Sequence, residues 1–391
     1  MIELDVAPRR TRIVEQADEP ARYLVLGDFG GRISEPLQVD RDNLNDVLAI
    51  LRVNAGGMRF RELEDFHPDR LYEHLEMGPK PEEQEPEREH ASPQADLEAL
   101  LRPKSLLEQI TEGGDPFEQY VKDLAHAHAA PQQKKNGDNV AALTERINSL
   151  LHHPRFQALE AAWRGLDFAV RQMDDMAARM HIAQFSKEDL AIDLACDNLS
   201  ATRLYTLLHS RKWSAIIGLH SFGELDLELL VRIALMTADV KAPYLAQGSV
   251  EIATALEAIR DIPEAAYVGL ALPRLLLRLP YGAKTSPIDS FAFEEMQGEP
   301  EHEHYLWGNA ALACLAVLVR GDEENLNLED LPAHTYKEAS EWTMKPCGEF
   351  FMTETQVLAL IDQGMMPLVS YRDRPMVRLA GFRAITTAPL F

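Results

Sequence analysis

Cysteine is scarce in this 391-residue chain, and its three residues, Cys196, Cys314 and Cys347, lie far apart. They form no disulfide frame and no metal-type spacing, so reduced thiols in a cytosolic setting are the default. Long apolar runs are missing too. The longest uncharged one, residues 306–319, falls short of the roughly 20 residues a bilayer requires and is expected as a buried core helix. The N-terminus lacks a charged start followed by an apolar stretch, which argues against a secretory signal and for a cytoplasmic protein. Positive charge is also in short supply: 39 Lys plus Arg against 63 Asp plus Glu give a net charge of −24. Phosphate backbones and anionic membrane surfaces would repel such a chain, so neither nucleic acid nor membrane insertion is expected.

Groupings that carry chemistry are equally thin. Gly27-Asp28-Phe29-Gly30-Gly31 follows a strand but lacks the full glycine fingerprint, and Pro36 separates it from the next helix, so a tight turn is expected. His126 and His128 sit two apart and His152 and His153 are adjacent; neither pair has the i, i+4 spacing that would let two rings share a metal on a helix. They read as cap or surface histidines. Glu294, Glu295 and Asp65 supply carboxylates that nothing in the sequence couples as acid and base. Cys347 reads as a buried small side chain. No catalytic residue, cofactor or metal is expected, and an enzyme acting through the Gly27 turn or the histidines is only a remote alternative.

Patterning is where the sequence speaks. Tyr23-Leu24-Val25-Leu26 reads as a strand ending at Gly27; Asp40 or Asp42 should cap a helix carrying Leu44, Val47, Leu48 and Leu51; Met58 and Phe60 alternate with Arg59 and Arg61 as in a half-buried strand. Residues 79–93 hold four prolines and a glutamate excess with almost nothing to bury, which predicts a solvated linker. Residues 97–130 are helical in pattern with a break at Gly113-Gly114-Asp115-Pro116. Pro154 suits a first helical turn, and Phe156, Leu159, Trp163, Leu166 and Val170 then recur at spacings of three and four, giving one buried face. Ser214 to Leu219, the helix of Leu227, Leu230, Val231 and Ala234, and Pro243 to Ala246 form a β-α-β crossover, which favours a parallel or mixed sheet in an α/β (mixed α+β) fold.

The wording of residues 150–166, Leu-Leu-His-His-Pro-Arg-Phe-Gln-Ala-Leu-Glu-Ala-Ala-Trp-Arg-Gly-Leu, resembles the signature of the large contractile-sheath subunit of bacterial type VI secretion systems (the TssC or VipB family), with Phe156, Leu159, Trp163, Arg164, Gly165 and Leu166 at its heart. Ala242-Pro243-Tyr244, the stretch through Pro273, Arg274, Leu279, Pro280, Tyr281 and Gly282, then Phe291-Ala292-Phe293-Glu294-Glu295, and finally Trp307-Gly308-Asn309 continue the resemblance, which extends over about residues 104–380. The N-terminal part is similar to the small sheath subunit (TssB or VipA) in Gly27-Asp28-Phe29, residues 39–48 and residues 63–69. The resemblance implies a fusion of two assembly partners sharing one sheet: a small-subunit-like module at 1–78, a linker at 79–96, a helical region at 97–138 and a large-subunit-like core at 139–391.

A non-enzymatic structural role follows from the resemblance, with sheath subunits or baseplate components as partners and the inner tube protein as another. Leu106, Leu107 and Ile110 resemble the helix that a ClpV-class recycling ATPase recognises in that family. The large-subunit-like part ends at Phe391, soon after Ala380-Gly381-Phe382-Arg383, where the family continues through a further subdomain and a C-terminal strand, and the small-subunit-like part lacks the family's long helical tail. The expectation is accordingly a sheath-like protein that caps, nucleates or adapts a sheath end, the alternative being a genuine polymerising subunit.

Overall fold

The computed structural model describes residues 19–31, 33, 35–77, 116–126, 136–296, 300–322, 324–338, 341–372 and 374–391. Its first strand, β1 (Ala21–Gly27), has Tyr23 and Val25 in one apolar cluster and Leu24 and Leu26 in another. Successive strand residues point to opposite faces, so this strand is covered on both sides. A short β2 (Leu37–Val39) and helix α1 (Leu44–Ile50) follow, then a hairpin of β3 (Asn54–Ala55) and β4 (Met58–Arg59), a 3-10 turn at Leu63–Phe66 and helix α2 (Pro68–Met77). The apolar set Leu44, Val47, Leu48 and Leu51 is buried as its spacing predicts. Neither Asp40 nor Asp42 caps α1. The Asp40 carboxylate instead accepts the N–H groups of Asp42 and Asn43 at 3.2 and 3.0 Å, building the turn ahead of the helix, and Asn43 occupies the cap position.

Helices α3 (Pro116–His126), α4 (Asn136–Leu151) and α5 (Pro154–Gln172) lead into β5 (Ala178–Gln184). Then come α6 (Lys187–Asp193), α7 (Arg203–His209), β6 (Ala215–Phe222), α8 (Leu227–Val240), β7 (Tyr244–Gly248), α9 (Ile252–Ala255), β8 (Val268–Leu272), β9 (Leu275–Leu276), β10 (Trp307–Gly308) and α10 (Ala311–Val319). The chain continues through β11 (Asn327–Leu328), the β12 (Thr335–Glu338) and β13 (Glu341–Met344) hairpin, α11 (Glu354–Asp362), β14 (Met365–Ser370) and β15 (Val377–Leu379). Residues 306–319 are thus two elements, because Trp307 and Gly308 pair with β9 and only the remainder is helical. All nine residues of α10 are buried, as expected for a helix apolar on every side.

Nine strands form one mixed sheet in the order β11-β15-β14-β8-β7-β6-β1-β5-β2. β6, α8 and β7 make the anticipated crossover, and β1 runs parallel to both β5 and β6. Helices α1 to α5 and α10 cover one face; α6 to α9 and α11 cover the other. Both edges are short, three residues of β2 and two of β11. The fold is α/β with a shared sheet: residues 21–27 occupy a place between strands that follow more than 150 positions later in the chain.

Candidate functional site: a buried ionic junction

Helix α5 begins at Pro154 with His153 as its cap, whose ring accepts the Arg155 N–H. Its apolar stripe faces inward as the spacing predicts: Phe156, Leu159, Trp163, Leu166 and Val170 are all buried. The N-terminal segment packs directly on this stripe. Phe60 and Phe66 stack at 4.4 Å and both meet Phe156 edge-on, Phe29 meets Trp163 edge-on at 5.8 Å, and the Trp163 indole N–H donates to the Phe29 carbonyl at 3.1 Å. Gly165 lets α10 approach, since a Cβ there would lie 2.3 Å from Leu312.

Between these apolar contacts lies a charged centre. Glu160, 0% exposed, accepts from Arg164 Nε at 2.7 Å and from Arg278 Nε at 2.9 Å. Arg278 also donates through both terminal nitrogens to Glu295, at 2.7 and 3.1 Å, and its guanidinium lies 4.2 Å from the Tyr281 ring centroid. The Tyr281 N–H donates to Glu295 at 2.7 Å, its hydroxyl accepts from Arg164 at 2.9 Å, and His152 Nε2 stands 3.4 Å from Glu295. Two carboxylates and two guanidiniums therefore neutralise one another, which is the condition for burying charge at all. Burial alone would raise the Glu295 pKa, but Arg278 and the hydrogen bonds from His152 and Tyr281 hold it at about 2. Burial would lower that of Arg278, yet Glu160 and Glu295 raise it well above its ordinary value. Tyr281 is pushed up to about 12, chiefly by burial.

A second cluster gathers the other expected residues. Arg274 forks onto Glu349 at 3.0 and 2.5 Å and, with Lys345, flanks the face of Trp307. Trp307 donates to the His302 carbonyl at 2.9 Å. Asn309 donates to the His220 carbonyl and accepts the Ala311 N–H at the start of α10. Pro273, Pro280, Gly282 and Gly308 are buried in the connections between these contacts, with Leu279 half-buried beside them. Of the expected residues, Arg164 and Tyr281 meet in the first cluster and Arg274 and Trp307 in the second. Leu106, Leu107 and Ile110 lie outside the described residues.

Sequence reasoning missed Glu160, Arg278, Glu295 and Glu349 as partners. Only the Glu160–Arg164 spacing of four carried a signal. His152 is half-buried against Glu295, a correction to its expected cap or surface role, because the end of α4 is pressed against the 281–295 segment. Cys347 is buried, as expected. Among the described residues no group of three or more His, Cys, Asp or Glu side chains is placed to hold a metal ion, and no helix is long and apolar enough to cross a membrane. The junction joins segments, since Glu160 of α5 and Glu295 of the 281–295 segment both accept from Arg278.

Residues 139–254 and 249–386 match the VipB family model, described as the EvpB/VC_A0108 tail sheath N-terminal domain. The chain is 27% identical over 295 residues to the type VI secretion system sheath protein TssC1 of Pseudomonas aeruginosa, an alignment that covers 63% of this chain and 59% of that protein. The match thus spans less than two thirds of that relative's length. Both charged clusters, with α5 and β5 to β15, fall inside the matched residues, whereas β1 to β4, α1 and α2 precede them. A family model that spans more than half of the chain and contains seven of the nine strands of its sheet, its signature helix and its buried junction places this protein in the VipB (EvpB/VC_A0108) tail sheath family, the large-subunit family of type VI secretion sheaths.

Proposed function

We propose that this chain is a non-enzymatic, cytoplasmic assembly protein of a type VI contractile injection system and that it carries both sheath-subunit types on one polypeptide. Residues 1–78 take the small-subunit (TssB/VipA) part and residues 139–391 the large-subunit part, joined by the acidic linker at 79–96 and the helical region at 97–138. The observation that supports this is the position of β1. It comes from outside the family-matched residues, yet it pairs along seven positions with β5 and along four with β6. A separate subunit docked on the large one would be held by the same contacts: strand pairing, the Phe60–Phe66–Phe156 cluster and the bond from Trp163 to Phe29.

Within that function we favour a role at a sheath end, as a cap, nucleator or adaptor binding sheath subunits or baseplate components. Its support is the sheet's margins, since strands of three and two residues offer little backbone for another chain to extend. A polymerising subunit is the second reading. It is favoured by the β12–β13 hairpin, which pairs with no other described strand and leaves Trp342 71% exposed. Contacts with the inner tube, and recognition of Leu106, Leu107 and Ile110 by a ClpV-class ATPase, belong to the same proposal.

Electron microscopy of the purified chain, alone and with authentic sheath subunits, tests it. Monomers or small oligomers alone, with substoichiometric density at sheath ends on mixing, are expected. Long tubules from the chain alone would establish the polymerising role instead, and no association with sheath or baseplate proteins would remove both.

A further inference from the structure

Residues 281–295 leave the body after β9 and return before β10 without a regular strand or helix, showing only isolated bridges from Tyr281 to Ser286 and from Gly282 to Glu294. Both ends are clamped by the ionic junction, through the Tyr281 N–H on Glu295 and the Arg278–Glu295 pair. The middle is held by another part of the chain. The Asp69 carboxylate, in the first turn of α2, accepts the Asp289 N–H at 3.1 Å and the Ser290 N–H at 2.8 Å, across 220 and 221 positions. Tyr72, on the next turn of α2, packs against Phe291 at 5.5 Å, and His67 meets the Tyr281 ring edge-on at 4.9 Å.

We propose that residues 281–295 form a strap, with Asp69 as its catch, that closes only when α2 is seated on the family-matched core. Ala283, Lys284, Pro287, Asp289 and Ser290 are exposed, and the apolar hold of the strap comes from Ile288, Phe291 and the buried Phe293, so its exposed residues open locally when the catch is lost. One anionic acceptor serves two adjacent backbone donors, an arrangement stronger than neutral hydrogen bonding and one that no other described side chain supplies to these amides. The exposed outer surface of the strap therefore has a defined shape only in chains whose N-terminal segment is docked, and any partner binding there would select those chains. The inference rests on the geometry alone and does not require the small-subunit assignment.

The test uses the full chain with Asp69→Ala, and with Asp69→Asn, which keeps one acceptor oxygen. Trypsin cleavage of the Lys284–Thr285 bond is followed by mass spectrometry and amide exchange is mapped along the chain. Cleavage roughly tenfold faster in Asp69→Ala is expected, with a smaller increase in Asp69→Asn and lost protection confined to the strap and α2. An unchanged cleavage rate in Asp69→Ala would overturn the catch. Protection lost across β1 and α5 as well would show that the strap does not open separately, and would overturn the proposal equally.

Discussion

Trp163 is fully buried, bonded to the Phe29 carbonyl and edge-on to the Phe29 ring. Trp163→Ala should destabilise the chain by roughly 3 to 5 kcal/mol, as aromatic truncations in cores do, and a melting temperature equal to the parent's would refute the assignment. Glu160 is a different case, since Glu160→Ala leaves Arg164 and Arg278 sharing only Glu295 and Tyr281. A loss of about 3 to 5 kcal/mol is expected in chemical denaturation, whereas Glu160→Met combined with Arg278→Met should lose less than the two single changes summed. His220 shows how pH enters. Its Nε2 faces the Phe185 carbonyl and so carries the proton, and its Nδ1 accepts from the Tyr244 hydroxyl at 2.7 Å. Burial lowers its pKa from 6.5 to about 4. The unfolded chain then binds the extra proton first, so this neutral ring contributes stability that is present above pH 6.5 and lost as pH falls toward 4. His181 is lowered to about 4 as well, so His220→Gln should shallow the slope of stability against pH in that window without abolishing it. An unaltered slope would refute the assignment. These residues were unevenly legible: Trp163 announced itself by spacing, while His220 and Glu160 look like any polar residue until their surroundings are known.

At the scale of elements, local patterns were dependable where one face alone is buried. The α5 stripe, the alternate burial of Met58 and Phe60 and the β6-α8-β7 crossover all follow from periodicity, although only Met58–Arg59 of the expected strand is paired. They failed where tertiary contacts cut across an apolar run, as in residues 306–319, where pairing with β9 takes the first part away from the helix. Close approach of elements is invisible in periodicity and shows only as a glycine. Gly165 is such a place, because the Leu312 side chain occupies the position of a Cβ and is itself enclosed by α10 and its neighbours. Gly165→Ala is expected to cost roughly 1 to 3 kcal/mol despite its better helix propensity. Thermal melting of that variant against the parent decides between packing and propensity.

At the scale of the whole molecule, neither strand order nor the insertion of β1 can be read from one sequence, because pairing partners far apart leave no local mark. The pairing of β1 with β5 and β6 predicts that residues 79–93 are dispensable once folding is complete. Proteolysis within residues 79–93 should leave two pieces that co-purify, and their clean separation at low concentration would contradict the shared sheet. The placement of β1 also bears on how the chain is made. Phe29 finds its side-chain acceptor on Gln184, 155 residues later, and at about 5 to 20 residues per second β5 leaves the ribosome roughly 8 to 30 seconds after β1. During that interval neither neighbour of β1, whose Leu24, Val25 and Leu26 are buried in the finished fold, has been synthesised, and its backbone edges are open to any other nascent chain. Translation speed and holdase chaperones should therefore govern the yield of this protein more than its final stability does, and an arrangement of the gene that places residues 1–78 last should relieve that dependence.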